Sequence, residues 1–261
     1  AFAALRADGS VVTWGDSSYG GNSSGVVAAL DGSIDVTQVF STATSYGSSA
    51  FAALRADGSV VTWGDSSKGG DSSAVAAALD GSIDVTQVFS TRYAFAALRA
   101  DGSVVTWGYG FWGGDSSAVA AALDGSIDVT QVFSTDGAFA ALRADGSVVT
   151  WGYSWGGADS SAVAAALDGS IDVTQIFSTE HAFAALRADG SVVIWGDSSY
   201  GGNSSAVAPL TNVVSLANPF TDDVYVAAAA PPAPLSAIDL SAIATGSGGF
   251  VINGQCAGDT S

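Results

Sequence analysis

The chain has 261 residues, is 48% hydrophobic and only 12% charged, and carries a formal net charge of -18. It is long enough for a sizeable core and too apolar to be disordered. The acidic balance rests on 24 Asp and one Glu, Glu180; it argues against a nucleic-acid or anionic-membrane partner, because a polyanion is repelled and no basic stripe exists to release counterions.

The single Cys, Cys256, cannot staple the chain internally, so the fold must stand on packing. No apolar run approaches the ~20 residues that cross a bilayer, so no direct membrane insertion is expected. The chain does not start with Met and shows no signal-peptide core, and is expected to be a processed product or a piece of something longer.

In chain order, AFAALRADGSVVTWG opens at Ala1 and returns at Ala50, Ala94 and Ala138, and at Ala182 with Ile194 in place of the threonine. Phe2 and Phe51 lie 49 residues apart, and the later copies follow at 44. Such a period points to a propeller, a solenoid or an array. AFAALRA and SVVTW are short apolar runs split by Asp-Gly, the strongest short hairpin signal. A third, β-branched run, VTQVFST, covers 36–42, 85–91, 129–135 and 173–179, and NVVSL at 212–216 takes its place after the fifth copy. Between runs lies SSAVAAALDG or a near copy, with Ser before an Ala-rich stretch and Gly after it, which predicts one or two helical turns. Each unit is thus three strands and a short helical connector. The pattern predicts an all-β chain, a β-propeller of five blades of about 44 residues each.

The pattern L-x-x-DG-x-V-x-x-WG followed by V-T-Q-V-F-S-T resembles the repeat of the regulator-of-chromosome-condensation-like β-propellers, over roughly Ala1 to Leu216. It is similar in spacing to the shorter, secreted bacterial form of that fold, the β-lactamase-inhibitor type. The chromatin-binding activity of the eukaryotic members is not carried over, since the basic surface it needs is missing. The chain begins at the second strand of a blade, so NVVSL at 212–216 is expected to pair with residues 1–7 and close the ring, removing exposed edges; the rivals are further blades upstream or an edge that pairs with a neighbouring molecule. Residues 1–226 are read as the propeller, 227–234 (AAAAPPAP) as a linker, and 235–261 as the truncated start of another module. GSGGFVINGQCAGDTS at its end resembles the opening of an FG-GAP repeat, which implies a large bacterial extracellular protein.

The units differ mainly after Trp-Gly and after Phe-Ser-Thr. In an up-and-down blade both places fall on one face and the constant Ala-Asp-Gly turn on the other. The variable face is expected to gather Tyr19, Tyr46, Lys68, Arg92, Tyr93, Tyr109, Phe111, Trp112, Tyr153, Trp155, His181 and Tyr200. Aromatics with a few charges give large contact area at low entropy cost, as binding surfaces do. The plainer alternative is loop drift, with some of these rings capping the core. The repeated Trp14, Trp63, Trp107, Trp151 and Trp195 are read as packing between blades. The repeated Arg6, Arg55, Arg99, Arg143 and Arg187 are read as structural, through ion pairs or hydrogen bonds to loop carbonyls.

No catalytic residue is assigned: His181 is the only His, and Cys256 has no matched partner. No zinc spacing exists and no metal site is assigned. The pairs Asp31/Asp35, Asp80/Asp84, Asp124/Asp128 and Asp168/Asp172 offer oxygen ligands of the kind calcium takes, but too few, so turn and capping roles are expected and no cofactor is called. The reading is a non-enzymatic binding module of an extracellular or cell-surface, adhesin-like bacterial protein, recognising a glycan or a protein through the variable face. The alternative is a structural subunit of an extracellular filament, sheath or surface assembly that pairs with copies of itself.

Overall fold

The computed structural model describes residues 1–42, 49–205 and 209–216. The linker and FG-GAP-like segments expected beyond 226, and Tyr46, lie outside the described residues. Among the described residues fourteen strands form five antiparallel sheets. The first sheet has two strands, β1 (Phe2–Leu5) and β2 (Val11–Trp14). The second is β3 (Val36–Ser41), β4 (Ala50–Arg55) and β5 (Val60–Gly64). The third is β6 (Val85–Ser90), β7 (Ala94–Arg99) and β8 (Val104–Gly108). The fourth is β9 (Val129–Ser134), β10 (Ala138–Arg143) and β11 (Val148–Gly152). The fifth is β12 (Val173–Ser178), β13 (Ala182–Arg187) and β14 (Val192–Gly196). Each sheet is one blade, and in the three-stranded ones the Ala-Phe-Ala-Ala-Leu-Arg strand is central. The architecture is an all-β propeller of five blades.

The Asp-Gly turn joins the second and third strands as expected. In the second blade the Gly58 amide donates to the Arg55 carbonyl at 3.0 Å and the Arg55 amide to the Ser59 carbonyl at 2.9 Å. Gly58 sits at φ +73°, which costs a glycine little. Asp57 Oδ1 accepts from both the Ser59 amide and its hydroxyl. Arg55 Nη1 donates to Ser59 Oγ at 3.2 Å and lies 3.6 Å from Asp57, and Arg99 and Arg143 do the same with Ser103/Asp101 and Ser147/Asp145, while Arg187 donates to Ser191; the arginine thus braces the turn in the second to fifth blades. Asp31, Asp80, Asp124 and Asp168 accept from the amides of Ser33, Ser82, Ser126 and Ser170, which is turn chemistry. The connectors are helical but of the tighter 3-10 kind, as at Ser73–Ala78. A second short 3-10 turn follows each Trp-Gly, as at Ser66–Lys68, where the sequence reads only as loop.

The core lies between blades. Along the central strand alternate residues face opposite neighbours. Ala50, Ala52 and Leu54 pack with Phe95, Ala97 and Trp107 of the next blade. Ala94, Ala96 and Leu98 repeat this with Phe139, Ala141 and Trp151, and Ala138, Ala140 and Leu142 with Phe183, Ala185 and Trp195. Small alanines on one face receive large rings from the other. Each ring meets a glycine of the preceding blade: a Cβ on Gly113 (φ +100°) would stand 2.6 Å from the Phe139 ring. Trp63, Trp107, Trp151 and Trp195 donate their buried Nε1–H to the carbonyls of Gly20, Gly69, Gly113 and Gly157 at 2.9–3.1 Å. Four of the five repeated tryptophans therefore pack between blades, each with a satisfied donor, whereas Trp14 of the first blade is 50% exposed.

The expected closure is corrected. Residues 212–216 form no strand, and among the described residues β1 pairs only with β2. The Val213 amide donates to the Gly190 carbonyl at 2.9 Å, as Val36, Val85, Val129 and Val173 do to Gly9, Gly58, Gly102 and Gly146. The segment thus starts as a first strand does, but among the described residues no central strand stands beside it.

Candidate binding face

Two loops of each blade carry the variation, and the backbone ties them together. The Tyr109 amide donates to the Tyr93 carbonyl, Tyr153 to Gly137, and Asp197 to His181, at 2.8–3.0 Å. The threonine that ends each Phe-Ser-Thr run locks the same pair of loops: Thr91, Thr135 and Thr179 donate Oγ1–H to the carbonyls of Trp112, Gly156 and Tyr200 at 2.8 Å. Both variable places therefore lie on one face, at the end of the blades away from the Asp-Gly turns. In three units an Asp caps the 3-10 turn: Asp16, Asp65 and Asp197 accept from the amides of Ser18, Ser67 and Ser199. In the third and fourth units Tyr109 and Tyr153 stand there instead and make no cap bond. A stabilising cap is given up for an aromatic side chain.

These substituted residues meet across blades. Lys68 Nζ lies 3.9 Å from the centre of the Tyr93 ring and 5.4 Å from that of Tyr109. Tyr93 meets Trp112 edge-on at 4.8 Å and Tyr109 at 6.5 Å. Trp112 stacks on Tyr153 at 5.2 Å, and Phe111 lies 5.0 Å from the same ring. Arg92 lies 5.8 Å from the Trp112 ring. His181 meets Tyr200 edge-on at 4.4 Å. So Lys68, Arg92, Tyr93, Tyr109, Phe111, Trp112 and Tyr153 form one run over the second to fourth blades. Tyr19, half-buried in the first blade, takes no part in that run. Phe111, 61% exposed, stands over the half-buried Tyr153 ring, and Trp155 is 71% exposed. Trp155 borders a cleft of about 320 Å³ whose other walls are Ser154, Asp159, Gly196, Asp197 and Ser198. Asp159 is held below the usual carboxylate range by hydrogen bonds from Ser161, so the cleft keeps its negative charge.

A charged row runs beside the rings. Arg92 forms an ion pair with Asp136 and lies 3.9 Å from Glu180, while Glu180 lies 3.7 Å from His181. The backbone repeats this order: the Arg92 amide donates to the Asp136 carbonyl and the Asp136 amide to Glu180, at 2.7 and 3.0 Å. Asp136, Glu180 and His181 gather their ligand atoms within 4.8 Å, a set that oxygen- and nitrogen-seeking ions accept. Here the Arg92 guanidinium already supplies the cation to both carboxylates. Burial raises the Asp136 pKa, opposed by Arg92. Asp136 was missed in the sequence because Asp-Gly reads as a turn. Aligning the units reveals it: Arg92, Asp136 and Glu180 occupy the same place after Phe-Ser-Thr, one cation followed by two carboxylates.

Fold and face together define the class: a five-bladed β-propeller whose variable loops gather on one face. No family model and no curated protein matches the chain. Among solved structures it is similar to the CRINKLY WD40 ectodomain of the receptor kinase ACR4 from Arabidopsis thaliana, at 15% identity over 75% of this chain and 67% of that one, with a TM-score of 0.43. It is similar to Prp20p from Saccharomyces cerevisiae, a structure described with its binding to Gsp1p and histones, at 18% identity over 74% and 54%, with a TM-score of 0.45. It is also similar to the ectodomain of the Physcomitrella patens receptor kinase CR4, at 13% identity over 63% of this chain and only 39% of that one, with a TM-score of 0.40. The fold assignment rests on the five sheets themselves.

Proposed function

We propose that this chain is a non-enzymatic binding module that holds its partner on the variable face. The observation that carries this is the pair of exposed rings on that face, Phe111 above the packed rings of Tyr153 and Trp112 and Trp155 at the cleft beside Asp159 and Asp197. Rings fixed from below lose little entropy when they are covered, and exposed aromatics of this kind form the anchors of recognition surfaces. The cleft beside Trp155 combines an indole face with the carboxylates of Asp159 and Asp197 and the hydroxyls of Ser154 and Ser198. Ring faces stack on the C–H surface of a sugar while carboxylates accept from its hydroxyls, so the cleft favours a glycan. A protein is the second reading, favoured by Phe111, which lies outside that cleft on an apolar patch with Tyr153 and Trp112. The setting we propose is an adhesin-like protein of a bacterial surface, on the likeness of residues 246–261 to an FG-GAP opening.

The test is a glycan-array screen of the full chain beside a Phe111→Ala/Trp155→Ala variant. Both side chains are exposed, so the variant is expected to fold. Binding that the variant loses supports the glycan reading. No binding by either form removes it and leaves the protein. Binding that the variant keeps moves the site off this face.

A further inference from the structure

The interface between consecutive blades occurs four times within the chain, always with the same two halves. One half offers a Phe and a Trp from the later blade. The other offers a glycine in the left-handed region, a glycine carbonyl and small residues from the earlier one. Phe51, Phe95, Phe139 and Phe183 sit against Gly20, Gly69, Gly113 and Gly157. The tryptophans donate to those same glycine carbonyls.

Each half also stands once without its mate. In the first blade Phe2 is 65% and Trp14 50% exposed, and among the described residues Trp14 Nε1 has no such acceptor. In the fifth blade Gly201, at φ +96°, has nothing within 4 Å of where its Cβ would point. A hollow of about 100 Å³ opens there, lined among others by Ala182, Ala184, Tyr200, Gly201 and Leu216. Ala184 is half-exposed, whereas Ala52, Ala96 and Ala140, its equivalents, are fully buried. The backbone is divided in the same way. Among the described residues β1 is a central strand with a bare edge, and residues 213–216 begin a first strand with nothing to pair with; Val214 is 93% exposed.

We propose that these are the two halves of one more interface, and that a second copy of this chain docks its first blade on the fifth blade of its neighbour. Phe2 of one copy then fills the hollow at Gly201 of the other, and Trp14 Nε1 donates to the Gly201 carbonyl. Residues 213–216 add to β1 as the missing first strand, in the register of the inner blades: Val213 opposite Arg6, Ser215 opposite Leu5 and Leu216 opposite Ala4, as Val36, Gln38 and Val39 face Arg55, Leu54 and Ala53. Strand addition supplies backbone bonds while the Phe and Trp supply specificity. The contact is heterologous, so copies join head to tail. It uses none of the variable face and stands apart from the function proposed there.

The test is light scattering of the full chain over a wide range of concentration. The mass is expected to rise through multiples of one chain. Phe2→Asp/Trp14→Asp and Ala184→Asp are each expected to stay single alone, and to form a species of twice the chain mass when mixed, since each keeps the half the other lacks. Leu216→Asp replaces Ala184→Asp should the latter fail to fold. Phe111→Ala/Trp155→Ala is expected to associate as the unaltered chain does. A single-chain mass at every concentration, a mixture that stays single, association that survives both blocking variants, or association lost with the variable-face variant overturns the proposal.

Discussion

The first and third blades contain the same fifteen residues, AFAALRADGSVVTWG, and those residues meet different fates. Phe95 and Trp107 are buried, and Trp107 donates to Gly69. Phe2 and Trp14 keep the same stacked geometry with each other, 5.4 Å against 5.2 Å in the third blade, yet stand largely in solvent. Strand, turn and ring stacking are thus properties of the unit itself. Burial is a property of its neighbour. The repeat specifies half an interface, and only succession completes it.

The largest expected contrast follows. Phe139→Ala removes a fully buried ring from between two blades and is expected to cost about 3–5 kcal/mol, lost transfer energy plus cavity. Phe2→Ala, measured where the chain is a single copy, is expected to stay within about 0.5 kcal/mol of the unaltered chain. Denaturant midpoints of the two variants check this, and equal costs would mean that the first blade is covered after all.

The glycines sharpen the same comparison by separating strain from clash. Gly113 and Gly201 share the left-handed backbone, but only Gly113 faces a ring. Gly201→Ala is expected to cost about 1–2 kcal/mol for the backbone alone. Gly113→Ala adds about 1–3 kcal/mol for pushing Phe139 aside. Thermal unfolding of the pair measures the difference.

How much of this was legible beforehand follows the same division. The five blades, the Asp-Gly hairpins and the third strand at 36–42, 85–91, 129–135 and 173–179 could be read, because period, turn residues and β-branched runs act within a unit. The 3-10 turn at Ser66–Lys68 was read as loop, because one turn capped by Asp65 has no periodicity to show. The pairing of 212–216 is not legible in NVVSL, because whether an edge finds a partner depends on where the blades lie. On the variable face the residue types were legible. The contacts of Lys68 with Tyr93 and of Arg92 with Asp136 were not, because they join residues 25 and 44 positions apart that only stacked blades bring together.

Arg92 belongs to the contacts that only neighbouring blades make. Arg92→Ala leaves the Asp136 carboxylate, half-buried, beside Glu180 without its cation. The expected cost at neutral pH is about 1–3 kcal/mol, the penalty of an unmatched polar group. The pH dependence has a definite sign. The folded-state pKa of Asp136 is raised above its ordinary value, chiefly by burial. Its contribution is therefore most favourable below the unfolded value and is lost as pH rises through the folded one. The variant's deficit is expected to shrink as pH falls, since a protonated Asp136 needs no cation. A deficit independent of pH in denaturant titrations would place the effect of Arg92 in its packing on Trp112.

The smallest effect per residue tests the other half of the comparison, the part that is local. Asp8, Asp57, Asp101, Asp145 and Asp189 are each held below the usual carboxylate value, first by a side-chain hydrogen bond from the serine two residues on. With folded values below the unfolded 3.8, their stabilisation is complete above that pH and is lost as pH falls through the folded values. The chain as a whole is expected to weaken in acid, these carboxylates outweighing the opposite response of Asp136. The Asp–Ser bond itself is the same in the first blade: Ser10 donates to Asp8 at 2.6 Å, as Ser103 does to Asp101, although Ser103 also accepts from Arg99. Ser10→Ala and Ser103→Ala are therefore expected to reduce the acid sensitivity of the unfolding midpoint by equal amounts, although Phe2 and Phe139 differ by several kcal/mol in what their removal costs. Unequal shifts would mean that the turn, too, depends on a neighbouring blade, and would remove the distinction between what one unit holds by itself and what it holds only in company.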